Sequence, residues 1–408
     1  MATTKHSGFE KLAEETKLYP QEQLAAISTR RQSLFIGIPK EVSLEENRIS
    51  LTPEAVSLVV KNGHQIWIET GAGEKSNFSD KEYSDAGARI IPSAKEVYTA
   101  NIILKIEPPT DEEISYLKPN QFLISALNLV SKGKSYFEKL IEKKVVAIAY
   151  EYIEDKAGGQ PITRAMSEIA GIASIQIASE YLSTTANGLG VILGGITGVP
   201  PTKVVILGGG TVAEYAARSA SGMGAEIKIF DNHIYKLGRI KHALNFQVFT
   251  STIDSVLLAK ALATTDVFIG ALRPEKGRNR IVITEEMVMK MKKGAVIIDL
   301  SIDQGGCVET SEMTTLENPV FYKHGVIHYC VPNVTSRVAR TASMALSNIF
   351  TPTILRAGEE GSIDDMIFSH KWFMNGVYAY KGGLANFDLA RRYKLPYKDI
   401  SLFRAARL

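Results

Sequence analysis

The chain is 408 residues long, enough for two compact cores rather than one. Apolar residues make up 45% and charged residues 22%, a globular balance that excludes a disordered chain. The formal net charge of +3 is small for this size and gives no charge-driven reason to bind nucleic acid or an anionic membrane.

Residues 1–33 read as an appended arm. Phe9, Leu12, Leu18, Leu24 and Ile27 stand there among many charges, as either a docking helix or a partly ordered tail. The arm lacks the basic-then-apolar order of a signal sequence, and no later apolar run approaches the ~20 residues of a bilayer span. Leu34 to Ile38 reads as a short strand closed by Pro39, and Glu54 to Asn62 as a helix ended by Gly63. His64 to Glu69 alternates as a strand. Further strands are expected at Ile102 to Lys105, Phe122 to Ser125 and Val145 to Ala149, with a helix over Tyr136 to Glu142. Ser167 to Leu182 is a long helical connector, followed by a glycine-rich loop from Gly188 to Gly198. A second series puts strands at Val204 to Leu207, Glu226 to Phe230, Val267 to Ile269 and Ala295 to Leu300. The remainder returns to helix, through Ala339 to Leu355 and onward. Two cysteines, Cys307 and Cys330, are too few for a disulfide framework, and their spacing offers no metal site, so a reducing, cytoplasmic setting is expected.

The strongest local motif is the apolar strand Val204 to Leu207 running into Gly208-Gly209-Gly210-Thr211-Val212-Ala213. Gly208 permits the tight turn, Gly210 lets backbone approach a pyrophosphate, and Ala213 allows close helix–strand packing. The N–H groups of Thr211, Val212 and Ala213 would then face the phosphates at a helix N-terminus. The next strand ends at Asp231, at the distance where an acid meets ribose hydroxyls. An acid there repels a 2′-phosphate, which favours NAD over NADP, while Lys236 nearby leaves NADP open. The expected fold is therefore α/β: two Rossmann-like domains with parallel sheets, a cleft between them and long connecting helices. The expected division gives a substrate domain of residues 34–165 plus 336–408 and a nucleotide domain of residues 166–335.

Three further features carry candidate chemistry. Arg48, in Glu46-Asn47-Arg48, precedes a helix and could fork onto a carboxylate, or be an ordinary surface arginine. Lys105 closes a strand, at the end where α/β ligands bind. Asp299 and Asp303 flank Leu300-Ser301-Ile302 before a glycine turn, as functional acids or as turn caps.

Together these segments resemble the alanine dehydrogenase family, which is related to the nucleotide-binding subunit of transhydrogenase. The resemblance rests on Gly37 to Glu41, Asn47 to Pro53, Glu69 to Gly73, Ile103 to Lys105, Met166 to Glu168, the Gly208 loop and Asp299 to Gly306, in order. It implies that Arg48 and Lys105 hold a pyruvate-like substrate and that Asp303 moves protons beside the nicotinamide. It also implies that Ser167, Asp231, Lys236 and Asn333 touch NAD, and that the chain forms a homo-oligomer, as a hexamer in many relatives. Alanine or pyruvate with ammonium would be the substrates, with no metal, nucleic acid or membrane. Members of the dehydrogenase branch carry an acid/base histidine in the segment matching Leu123 to Leu129; here Asn128 stands in its place. Asparagine hydrogen-bonds but carries no proton. Asn128 therefore leaves two further readings: a non-catalytic NAD-binding member, or a dehydrogenase for a different amino or imino acid.

Overall fold

A computed structural model describes residues 32–128, 132–155, 157–273 and 279–405. The expected arm, apart from Gln32 and Ser33, lies outside the described residues, as do Leu129 and the last three residues. Two sheets organise the rest.

The first sheet has eight strands in the order β15-β14-β6-β5-β4-β1-β2-β3. Its parallel strands are β1 (Phe35–Ile38), β2 (Gln65–Glu69), β3 (Arg89–Ile91), β4 (Ile102–Leu104), β5 (Phe122–Ser125) and β6 (Val146–Ala149). Two short strands, β14 (Val377–Tyr380) and β15 (Gly383–Leu384), add antiparallel at the β6 edge. The second sheet has seven strands, ordered β12-β13-β11-β10-β7-β8-β9. They are β7 (Lys203–Leu207), β8 (Glu226–Phe230), β9 (Phe249–Ser251), β10 (Val267–Gly270), β11 (Val296–Asp299), β12 (Val320–Lys323) and β13 (Val326–Tyr329). All pair in parallel except the β12–β13 hairpin. Central strands such as β6, β10 and β11 are buried along their whole length, which is why they read as unbroken Val/Ile/Ala runs rather than alternating ones.

Each sheet is doubly wound, with its first strand beside its fourth, so each has a switch point where neighbouring loops diverge and a crevice opens. For the first sheet the crevice lies past β1 and β4; for the second it lies past β7 and β10. The expected fold class is the observed one, with two largely parallel sheets. Two details differ. The last segment is not helical throughout, because β14 and β15 return to the first sheet, and the β12–β13 edge is antiparallel.

Helix α1 (Pro53–Lys61) starts where Pro53 presets the first turn and Thr52 Oγ1 caps the Ala55 N–H. It stops at Asn62, before Gly63 at φ 89°. Helix α2 (Pro161–Leu182) begins six residues before the expected Ser167, again on a proline. It packs along α3 (Thr211–Gly222), which follows β7. Gly171 makes this approach possible: a Cβ there would lie 2.5 Å from the Val212 carbonyl oxygen. Helix α4 (Ala339–Glu359) returns against the first sheet, contributing Leu346, Phe350 and Ile354 to its core. No described helix is long and apolar enough to cross a membrane. Cys307 and Cys330 are both buried free thiols.

Candidate active site

The loop after β1 is pinned from beneath. Ile49 and Thr52 donate their N–H groups to Ser343 and Ser347 of α4, at 2.9 and 3.1 Å. This fixes Arg48, 7% exposed, over the crevice. Its guanidinium forks onto a neighbour in its own loop: Nε and Nη2 reach the two Glu46 oxygens at 2.7 and 2.6 Å. Nη1 donates to Thr335 Oγ1 at 3.0 Å. Asn333, in the left-handed region at φ 56°, donates Nδ2 to Glu46 Oε2 at 2.8 Å. Thr335 and Asn333 follow β13, so this cluster joins the first sheet's crevice to the second sheet. Burial opposes ionisation of Glu46, but Arg48 outweighs it and holds the carboxyl below its usual range. Burial likewise opposes charge on Arg48, and Glu46 more than restores it.

Lys105, just past β4, is 2% exposed. Its ammonium meets Glu113 Oε1 at 2.7 Å and Glu41 Oε2 at 3.1 Å. Burial would depress this lysine, but the two carboxylates keep it above its ordinary value. Lys105, expected to hold substrate, stands at the end of β4 with its charge held by two protein carboxylates. Glu113 is delivered there by a capping box with Thr110 at the helix Asp111–Tyr116. Glu107, two residues after Lys105, is partly exposed, with its backbone N–H 3.4 Å from Glu41 Oε2. Burial pushes the Glu107 carboxyl up to about 7, and the Glu46 charge adds to the shift against Arg48.

On the second sheet, Gly208 has φ 120°, and a Cβ there would meet the Ala271 carbonyl oxygen of the adjacent strand end at 2.4 Å. Gly210 caps α3 without any side-chain bond, and the space where its Cβ would point is open. Thr211, Val212 and the fully buried Ala213 form the first turn behind it. An uncapped helix start beneath open space fits the pyrophosphate of a dinucleotide. Asp231 is buried; it accepts the Gly209 N–H at 2.6 Å and the His233 N–H at 2.7 Å, thereby tying the glycine turn to β8. Lys236 is half-buried, with its Cβ against Gly209. Ser167 lies on α2 and donates to the Thr163 carbonyl at 2.7 Å.

Asn128 is exposed at φ 45°, a conformation asparagine tolerates, with its N–H 3.4 Å from Glu151 Oε1. Arg273, after β10, acts electrostatically on both Glu151 and Asp303. Asp303 is open to solvent, yet the surrounding protein strips enough water to raise its carboxyl, with Asp299 adding to the effect. Asp299 itself accepts the Ser301 and Cys307 N–H groups and holds the turn. The structure thus groups Arg48 with Glu46 and Asn333, and Glu41, the partner of Lys105, lines the same pocket as Glu46 and Arg48.

Sequence reasoning passed over Glu41, Glu107, Glu113 and Glu151. The Thr110-x-x-Glu113 spacing signalled a capping box. Nothing in the sequence signalled that burial would raise the Glu107 carboxyl.

Two family descriptions match the chain: the N-terminal domain of alanine dehydrogenase/PNT over residues 37–173 and the C-terminal domain over residues 174–386. An alanine dehydrogenase of Methanococcus maripaludis is 38% identical over 366 residues, 89% of this chain and 98% of the relative. An alanine dehydrogenase 2 of Staphylococcus aureus is 35% identical over 90% of this chain and 98% of its own length. A solved L-alanine dehydrogenase superposes with a TM-score of 0.82 at 34% identity, covering 88% of this chain and 99% of that one. On these sequence and structural matches, the chain belongs to the alanine dehydrogenase/PNT family.

Proposed function

We propose that the protein is an NAD-dependent amino-acid dehydrogenase that reversibly converts L-alanine and water to pyruvate and ammonia. The observation that carries this reading is the chain of contacts Arg48–Glu46–Asn333, which joins the crevice of one sheet to the sheet that bears the dinucleotide turn. Residues 34–165 plus 336–408 would hold the substrate and residues 166–335 the nucleotide. The Gly208–Ala213 turn would take the pyrophosphate and Asp231 the ribose hydroxyls, with Ser167, Lys236 and Asn333 lining the remainder of the nucleotide path. When bound, the nicotinamide accepts the hydride that leaves the substrate α-carbon.

Arg48 would hold the substrate carboxylate, with Glu46 fixing the guanidinium plane so that little order is lost on binding. Lys105 would hold the oxo or imino group of the substrate from the end of β4, its charge sustained by Glu41 and Glu113. Asp303 would accept or return a proton beside the nicotinamide pocket, and Asn128 would orient the substrate by hydrogen bonds. Asn128 also favours a second reading, a dehydrogenase of the same family for a different amino or imino acid. The family resemblance also implies a homo-oligomer, and we extend that expectation to this chain.

The test is NADH oxidation with pyruvate and ammonium, on wild type and Asn128→His. Turnover by the wild type supports alanine chemistry. Absence of turnover in the wild type, restored by Asn128→His, would sink it and leave the second reading.

A further inference from the structure

The acid at the end of β8 already has its oxygens engaged. Asp231 Oδ2 accepts the Gly209 N–H at 2.6 Å, and Oδ1 accepts the His233 N–H at 2.7 Å. Oδ1 also meets the His233 ring nitrogen Nδ1 at 2.8 Å. Nδ1 carries the hydrogen in this pair, because two acceptors so close would repel. A carboxylate offers about four acceptor positions, two on each oxygen. Gly209 and the two His233 donors fill all but one, and the position left is on Oδ2. A ribose 2′,3′-diol brings two hydroxyl donors. One finds a free position, and the other must take a position that is filled. The two backbone donors are fixed by the glycine turn and by the chain entering the helix Ile234–Ala243, so the imidazole is the donor that can leave.

The surroundings allow that exchange. The Asp231 side chain is 4% exposed and that of His233 is 39% exposed, so the ring can turn toward water while the acid stays in place. The imidazole stands edge-on to the exposed Tyr235 ring, with centroids 5.8 Å apart. His233 occupies the cap position of the helix Ile234–Ala243 without a side-chain bond to it, so turning the ring leaves the cap unchanged. The other cations of this helix are directed elsewhere. Arg239 donates Nη2 to the Gly209 carbonyl at 3.1 Å and stands 3.8 Å from Glu214 of α3, and Lys236 lies over the Tyr235 ring.

We propose that His233 determines the selectivity of the nucleotide site, as a placeholder that hydrogen-bonds Asp231 in the free protein and yields it to a ribose diol. The proposal rests on Asp231 as the ribose ligand in the reading above. For NADH, seating both hydroxyls breaks the bond between the ring and Oδ1, and that loss is subtracted from the binding energy. NADPH carries a phosphate on the 2′ oxygen and has only the 3′-hydroxyl to donate. The one open position on Oδ2 serves that hydroxyl, so the ring keeps its bond. His233 therefore opposes NADH and not NADPH, and it narrows the preference for NADH that an acid at position 231 would otherwise impose.

The experiment is titration of the full chain with NADH and with NADPH, read by nicotinamide fluorescence, in wild type, His233→Ala and His233→Phe. Both variants are expected to bind NADH roughly two- to tenfold more tightly than wild type, the factor set by one hydrogen bond. NADPH affinity is expected to be unchanged, or undetected in all three. Phenylalanine keeps the bulk of the ring beside Tyr235 but has no donor, so it separates hydrogen bonding from obstruction. His233→Ala binding NADH no better than wild type overturns the placeholder. So does an equal gain for NADPH, or a His233→Phe that binds NADH no better than wild type. A wild type that binds neither nucleotide at millimolar concentration overturns the dinucleotide reading itself. A wild type that binds NADH but does not turn over alanine sinks only the alanine reading, and the NADH gain in both variants still decides the role of His233.

Discussion

Glu46 determines what Arg48 is able to do. A guanidinium buried without a carboxylate would lose its hydration with nothing in return, and removing one partner of such a pair typically costs ~3–5 kcal/mol. With both Glu46 oxygens on Nε and Nη2, the fork is rigid and charged before any ligand arrives. Lys105 follows the same logic with two carboxylates and is sealed more completely. Glu107 is the exception in this cluster, because among the described residues no cation bonds it directly and burial binds its proton more tightly in the folded chain than in the unfolded one. Its contribution to stability therefore runs opposite to that of a paired carboxylate. Folding takes up a proton between the ordinary carboxyl value of 4.5 and about 7, so stability falls as pH rises through that window. Glu107→Gln removes the titration. The variant is expected to be more stable than wild type at pH ~8, by on the order of 2 kcal/mol, and to match it at pH ~4.5. Urea unfolding at the two pH values measures this; a difference independent of pH would mean that Glu107 titrates normally.

At the scale of elements, the close packing of α2 on α3 sets where the dinucleotide turn sits. Alanine in place of Gly171 would gain up to about 1 kcal/mol of helix propensity. Against this stands a Cβ 2.5 Å from the Val212 oxygen and 2.9 Å from the Ala216 nitrogen, both backbone atoms that move only if α3 moves. Overpacking of this kind costs ~1–3 kcal/mol or more. Gly171→Ala is thus expected to lower thermal stability and to weaken NADH binding roughly tenfold or more, since the shifted helix carries Thr211 and Val212. An increase in melting temperature with unchanged NADH affinity would disprove the coupling. The elements most legible in sequence were those with an unbroken apolar run or a clean apolar–polar alternation, such as β5 and β8 respectively, whose bounds coincide with expectation. Strands of three residues with exposed members, β3 and β9, carry too few buried side chains to show a pattern. The β14–β15 hairpin follows a long helical stretch and gains its strand character only by pairing with β6. The same limit applies to the site. Gly208, Gly210 and Asp231 stand at spacings set by one strand–turn–helix unit, so sequence alone places them. Arg48 and Glu46 stand two residues apart in one loop, but the meeting of Glu46 with Asn333, and of Lys105 with Glu41, depends on how loops from different strands fold over each other.

At the scale of the molecule, the two sheets repeat one winding, and their crevices face a shared polar junction. Glu45 accepts the Leu316 N–H at 2.8 Å, Asn333 donates to Glu46, and Arg48 donates to Thr335. Each such bond contributes only ~0.5–1.5 kcal/mol net, and the apolar cores belong to separate clusters on either side. A junction of this kind resembles a transient interface, which opens readily. The Leu316 amide is a reporter of opening, because its partner lies on the opposite sheet's loop, whereas the Gly209 amide reports on the nucleotide turn alone. Saturating NAD by itself is expected to slow hydrogen exchange at Gly209 and to leave Leu316 nearly unchanged. NADH together with pyruvate, which would engage Arg48 as well as the turn, is expected to slow Leu316 several-fold, as closure populates the bonded state. Equal protection of Leu316 with and without pyruvate would mean that the junction is rigid and that substrate enters a cleft already closed.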